Sequence, residues 1–146
     1  MEFYSNAQMK RFNLLMSKTD AAYHEAALKV GLSDSAFLIL YTVCSCGGEC
    51  LLSDITPGAS KQTINSALRK LEADGIVCSK AFSGRKKKVY FTEEGERLAR
   101  DTVLQVIEIE NEIFDSWSGE EKEIYIELTQ RYLTAFEERI KGLSGR

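Results

Sequence analysis

Residues 60–92 constrain the fold more than any other part of the chain. Ser60 is placed as a helix N-cap, and Ile64, Ala67, Leu68 and Leu71 recur behind it at helical spacing until Gly75 supplies a stop. Two short runs rich in Val, Ile, Phe and Tyr follow, residues 76–82 and 88–92, joined by Ser83-Gly84-Arg85-Lys86-Lys87. That pattern predicts a β-hairpin with a basic turn. Thr92 then caps a further helix, with Glu93 and Glu94 where negative charge favours a helix N-terminus.

The flanks read as helices. Phe12, Leu15, Met16, Thr19, Tyr23, Ala26 and Val30 predict a long amphipathic helix ending near Gly31. Ser33 opens a second, more buried helix through Phe37, Leu40, Tyr41 and Cys44, which stops at Gly47-Gly48. A short third helix covers Leu52 to Thr56, and Pro57-Gly58 form a turn before Ser60. The helix capped by Thr92 runs to about Phe114. Ser118-Gly119-Glu120-Glu121 has capping-box spacing and opens a last helix through Ile124, Leu128, Tyr132, Phe136 and Ile140 to Gly142. The fold class expected is mostly α with a small β-hairpin: a single domain over residues 1–146, in which a winged helix-turn-helix at 33–92 is flanked by dimerisation helices at 1–31 and 93–142.

Charge is distributed unevenly along the chain. The net charge is −3 over 146 residues, yet residues 60–91 hold eight basic side chains against two acidic ones, a local +6, between flanks of −2 and −7. Such a field suits a polyanion. The helix after Ser60 leaves Lys61, Gln62, Thr63, Asn65, Ser66, Arg69 and Lys70 facing away from its apolar stripe, amides and hydroxyls to read base edges and cations to hold phosphates. With Ser60 and the hairpin residues Arg85, Lys86, Lys87 and Lys88 they form the candidate DNA-binding set, Arg85 being suited to a narrow minor groove.

Over these residues the sequence resembles the MarR family of bacterial transcription regulators. The stretch Ser60-Lys61-Gln62-Thr63-Ile64-Asn65-Ser66-Ala67-Leu68-Arg69-Lys70-Leu71-Glu72-Ala73-Asp74-Gly75-Ile76-Val77 carries the resemblance, followed by Gly84-Arg85-Lys86-Lys87-Lys88-Val89-Tyr90-Phe91-Thr92-Glu93-Glu94-Gly95. The resemblance implies a homodimer paired through its terminal helices, a pseudo-palindromic double-stranded DNA site, and release by a small molecule or an oxidant. The family's wing commonly reads Asp-x-Arg. Here Ser83-Gly84-Arg85 puts an uncharged hydroxyl in the acid's place.

Signal input has two candidate routes. A small aromatic or amphipathic effector would be met by Phe12, Tyr23 and Tyr41, with Trp117 and Tyr132 as further aromatics that helical spacing also reads as core. Cys46 and Cys50 flank the glycine pair and are expected to be more exposed than Cys44, which makes them the candidate redox thiols. Cys44 reads as a core residue, and the spacing of Cys44, Cys46, Cys50 and Cys78 matches no zinc pattern. The family's peroxide sensors resemble a different layout, with the reactive cysteine in the first helix, where this chain has none. His24, the single histidine, reads as a surface or interface residue.

Neither metal nor cofactor is predicted. The chain lacks a phosphate-binding glycine loop, G-x-S-x-G and H-E-x-x-H, so it is not expected to be an enzyme. Its longest apolar run, residues 36–44, is far short of a bilayer span, and residues 1–5 lack the pattern of a signal peptide; no membrane partner is expected, and the placement is cytoplasmic with reduced thiols. The sequence leaves open an adaptor that uses the winged helix to bind protein in place of DNA, and a thiol-based redox regulator.

Overall fold

The computed structural model describes residues 3–4, 6–55 and 60–145. Contacts divide the chain into two compact units, Met1–Ile107 and Glu108–Arg146. The first holds α1 (Ala7–Lys29), α2 (Asp34–Ser45), β1 (Glu49–Leu51), α3 (Leu52–Ile55), α4 (Lys61–Ala73), β2 (Val77–Ser83), β3 (Lys86–Phe91), α5 (Glu93–Asp101) and the start of α6 (Val103–Asp115). The second holds the rest of α6 and α7 (Gly119–Ile140). Pro57 and Gly58, expected to form the turn before α4, and Thr56, expected to end α3, lie outside the described residues.

Side-chain caps set the helix starts as the sequence predicts. The hydroxyls of Ser33, Ser60 and Thr92 accept from the amides of Ala36, Thr63 and Gly95 at 3.2, 3.2 and 3.0 Å. Each bond satisfies one amide that the first helical turn leaves without a partner. At the other end, α2 and α4 stop where glycine follows the cap residue: Gly47 and Gly75 take φ of 85° and 74°. The amides of Gly48 and Ile76 then reach back to Val43 and Leu71 oxygens, both at 2.9 Å. The left-handed turn this needs is open to glycine at little cost.

The core of the first unit is assembled from short contributions by many elements. Ile39, Leu40, Val43, Ile55, Ile64, Val77, Val89 and Val103 are fully buried. α4 buries Ile64, Leu68 and Leu71 and rests Ala67 on the same cluster, which is the stripe read from sequence. α2 differs in detail: Ile39 and Val43 are fully enclosed, whereas Tyr41 and Cys44 are half-buried at its margin.

Three differences from the expected elements stand out. The hairpin is part of a three-stranded antiparallel sheet ordered β1-β3-β2, because Glu49, Cys50 and Leu51 pair with Tyr90, Val89 and Lys88. A three-residue strand leaves no readable alternation, so only its partner reveals it. The hairpin turn is also tighter than read, since Ser83 already pairs with Lys86 after an irregularity between Ala81 and Ser83. Finally, the helix expected to run unbroken from Thr92 to about Phe114 is two helices. At Thr102 the backbone leaves the helical region (φ −130°, ψ −93°), and its buried hydroxyl donates to the Leu98 carbonyl at 2.6 Å. A threonine that bonds back one turn in this way competes with the helical ladder.

In the second unit, Ser118 and Glu121 form the capping box anticipated from spacing. The Ser118 amide donates to the Glu121 carboxylate at 2.8 Å, and the Glu121 amide donates to Ser118 Oγ at 3.1 Å. Those bonds, the backbone one foremost, hold the Glu121 carboxyl below the usual carboxylate range. Phe114, Trp117 and Tyr125 meet at the start of α7, with ring centroids 5.1 Å apart for the first pair and 5.3 Å for the last two. α7 buries none of its 22 residues, and Ile124, Leu128, Tyr132, Phe136 and Ile140 stay exposed along it.

Candidate nucleic-acid interface

α4 presents a polar face because its apolar positions are taken up by the core. Ser60, Lys61, Gln62, Thr63, Ser66, Arg69 and Lys70 are exposed, and Asn65 is half-buried. The first turn of α4 is held rigid by Ser60, whose hydroxyl lies 2.6 Å from that of Thr63. At the other end, Ser79 Oγ on β2 donates to Glu72 Oε1 at 2.6 Å, which ties the wing to the last turn of α4. This link fixes the spacing between the helix and the hairpin, and spacing is what a rigid double helix tests.

At the hairpin, Gly84 (φ 58°) and Arg85 make the turn, and Arg85, Lys86 and Lys87 are all exposed. Lys88 lies on the second strand of the hairpin, as the sequence reading has it, and differs from the other three in its surroundings. It is half-buried in β3, pairs across the sheet with Lys80, and donates to Glu49 Oε1 at 3.2 Å. Like charges directly opposite on a sheet repel. Here Glu49 offsets one of them, while Lys88 lies 4.7 Å from the centre of the Phe82 ring and Lys80 5.3 Å from that of Tyr90. Lys80 was not singled out among the candidate residues; the signal for it was strand alternation, which places it on the same face as Lys88.

The remaining candidates are dispersed or altered. Phe12 and Tyr23 lie on α1, 41% and 38% exposed, while Tyr41 stacks on Phe37 with centroids 5.7 Å apart. A cleft of about 250 Å³ in the first unit is lined by Cys44, Gly47, Gly48, Phe91 and Arg100 among others, and Phe12, Tyr23 and Tyr41 do not line it. The expected exposure of Cys50 is corrected: Cys46 is exposed, but Cys50 is only 6% exposed and more buried than Cys44. Burial, then the nearby Cys46 and Asp54, push the Cys50 thiol up to about 12. The reason is β1, which carries Cys50 against Val89 of β3. His24 has a carboxylate partner that helical spacing did not show, Asp34 at 2.8 Å. Among the described residues no group of three or more His, Cys, Asp or Glu is arranged to hold a metal.

This order of helices and strands, with an α4 joined to a three-stranded wing, recurs in solved structures. A MarR family regulator from Neisseria meningitidis, NMB1585, superposes with a TM-score of 0.80 at 16% identity, covering 93% of this chain and 98% of that one. The chain has the fold of MarR-family regulators. NadR, solved in complex with 4-hydroxyphenylacetate, matches at 0.67 and 17% identity over 90% of this chain and 97% of its own. A MarR protein from Peptoclostridium difficile matches at 0.64 and 20% identity, covering 95% and 93%. No protein-family model matches the sequence, and no curated protein matches it. The MarR fold thus rests on architecture, and among the described residues no single helix is long and apolar enough to cross a membrane.

Proposed function

We propose that the chain is a sequence-specific, double-stranded DNA-binding transcriptional regulator, a homodimeric and cytoplasmic repressor released by a small-molecule effector, and not an enzyme. The observation that carries this reading is the exposed polar face of α4 beside the exposed Arg85, Lys86 and Lys87 of the wing, in the one segment with a charge of +6. Gln62 and Asn65 read base edges, Lys61, Arg69, Lys70, Lys86 and Lys87 hold phosphates, and Arg85 enters the minor groove. Residues 1–31 and 93–142 supply the dimer contacts and 33–92 the winged helix-turn-helix. Two-fold symmetry then sets the two recognition helices about one DNA turn apart, roughly 34 to 36 Å, on a pseudo-palindromic site.

The effector is a small aromatic or amphipathic compound. Support comes from solved relatives in fold: NadR was solved with 4-hydroxyphenylacetate, and regulation of DNA binding by 6-hydroxynicotinic acid is described for BpsR of Bordetella bronchiseptica. Phe12, Tyr23 and Tyr41 remain the aromatic residues proposed to meet it. An effector acts only as far as it prefers one spacing of the recognition helices over the other.

The test is binding of the purified chain to the duplex DNA upstream of its own gene, against unrelated duplex, at several salt concentrations. Site-preferring binding is expected, with affinity falling by about 0.9 log unit per log unit of salt for every phosphate contacted. An adaptor that uses its basic hairpin on an acidic protein would show no preference for any duplex, and that result would overturn the reading.

A further inference from the structure

The wing sheet has two unlike faces. Val77, Val89 and Cys50 turn one of them into the core. The other carries Lys80 and Phe82 from β2 with Lys88 and Tyr90 from β3. Lys80 pairs with Lys88, and each lysine reaches along the strands to the ring on the opposite one. The Lys88 ammonium lies 4.7 Å from the centre of the Phe82 ring, and that of Lys80 lies 5.3 Å from the centre of the Tyr90 ring. Phe82 is 56% exposed, Lys80 is exposed, and Lys88 and Tyr90 are half-buried.

Two features of this face are unfavourable while it stands bare. Lys80 and Lys88 are directly opposite each other, where like charges repel, and Glu49 meets only Lys88, at 3.2 Å. Phe82 leaves more than half of its surface in water. An occupant that answers both brings negative charge and flat apolar surface together. An unpaired nucleotide strand has both, a phosphate at each step and a base whose face stacks on an aromatic ring whatever its identity. We propose that this face of the wing binds single-stranded DNA, with bases stacked on Phe82 and Tyr90 and the phosphates between them held by Lys80 and Lys88. The choice of DNA over RNA rests on the regulator reading above, because a strand parted from the operator reaches this face from the duplex held by α4; the stacking site itself does not.

The register sets the fit. Cys78 pairs with Tyr90, so Phe82 stands four residues further along β2, a rise of roughly 13 Å. A strand laid along β2 therefore meets a ring, then two ammonium groups, then a second ring. The phosphates draw the ammonium groups off the rings, and the bases take the places they leave. A cation over an exposed ring is held weakly, so little is lost in the exchange. The phosphates in turn lie between two charges that otherwise repel. β2 is an edge strand of the sheet, which leaves the face open along that side.

The experiment follows fluorescence anisotropy of labelled oligothymidylate, and of the duplex from upstream of the gene, with the full chain at several salt concentrations. Saturable binding of the oligothymidylate is expected. F82A and Y90L should weaken it about tenfold or more, and Y90F, which keeps the ring, should not. K80A should lower its salt slope by about 0.7. Duplex affinity in F82A should stay at the parental value. Ultraviolet crosslinking of the parent protein to oligothymidylate should map to Phe82 or Tyr90, a readout that depends on no variant. An absence of saturable binding, ring variants that bind as the parent does, crosslinks only elsewhere, an equal loss on the duplex in F82A, or tighter binding of oligouridylate than of oligothymidylate would each overturn the proposal. A chain that prefers no duplex, yet holds oligothymidylate through these rings, would refute the regulator reading and leave the strand-binding face standing.

Discussion

Gly95→Ala is expected to destabilise the protein, although the same change in an ordinary helix stabilises it. Gly95 is buried in the first turn of α5, and its backbone is not in the left-handed region. Relief of glycine's backbone entropy would favour alanine by up to about 1 kcal/mol. Opposing this, a Cβ at Gly95 would overlap the Ile76 carbonyl oxygen, sit 3.0 Å from its carbon and 3.2 Å from Phe91 Cδ1. The oxygen is backbone and has no rotamer with which to give way. It also accepts the Thr92 amide and the Thr92 hydroxyl, both at 3.1 Å, at the point where β2 begins. Overpacking of this kind costs about 1 to 3 kcal/mol, and weakening two hydrogen bonds adds roughly 0.5 to 1.5 kcal/mol for each one lost. Set against the helical gain, the net loss is about 2 kcal/mol. Urea denaturation of both proteins at one fixed concentration, followed by circular dichroism, measures it. A variant as stable as the parent, or more so, would show that α5 is not held against Ile76 as described.

Further tests address the interface, the termini and the titrating groups. Arg85→Ala should weaken operator binding by roughly 1 to 3 kcal/mol, and Lys87→Ala should weaken every duplex alike and lower the salt slope by about one unit; equal losses on all sequences for Gln62→Ala and Asn65→Ala would argue against base readout by α4. Sedimentation at micromolar concentration should give a dimer, and a monomer there would remove the proposed assembly. Cys50 ionises harder in the fold than unfolded, so the stability it lends below pH of about 9 should fade as pH rises toward about 12, and C50A should flatten that alkaline limb of a pH–stability curve. Glu121 has the opposite sign: its carboxyl is held low, so its contribution is present above a pH of about 4 and lost as pH falls further; α7 helicity is expected to fall with acid in the parent, and E121Q should diminish that fall.

The helix starts and stops were legible because they are decided within four residues. Ser33, Ser60, Thr92 and Ser118 cap helices with their own side chains, and Gly47 and Gly75 end them with their own backbone. The face of α4 was legible for a related reason. Once Ile64, Leu68 and Leu71 turn inward, helical geometry alone sends Lys61, Gln62, Ser66, Arg69 and Lys70 outward. What sequence could not show depends on partners far along the chain. β1 exists because residues 49–51 meet 88–90, and that pairing sets Cys50 against Val89 and brings Lys88 to Glu49. The break at Thr102 was missed because its apolar neighbours keep a helical rhythm on both sides.

The apolar stripes of α1 and α7 show how one sequence pattern supports two readings that energetics can separate. Phe12, Leu15, Met16 and Tyr23 on α1, and Ile124, Leu128, Tyr132 and Phe136 on α7, were read as sides that pack, and within the single chain they remain between 38% and 52% exposed. Covering a half-exposed side chain of this size is worth about 1 kcal/mol, so eight of them contribute roughly 8 kcal/mol per protomer and about twice that across a two-fold axis. Loss of translational and rotational freedom costs about 4 to 15 kcal/mol, a range that a pair of such surfaces can offset and that a single α7, burying nothing, cannot. A 22-residue helix with no buried side chain must draw its stability from elsewhere, since helices in proteins hold mainly by packing an apolar face. Phe12 and Tyr23 are therefore claimed by two proposals at once, as dimer contacts and as residues that meet an effector. The two are compatible only if the effector acts by altering the dimer contact itself, which is the route by which it would change the spacing of the two α4 helices.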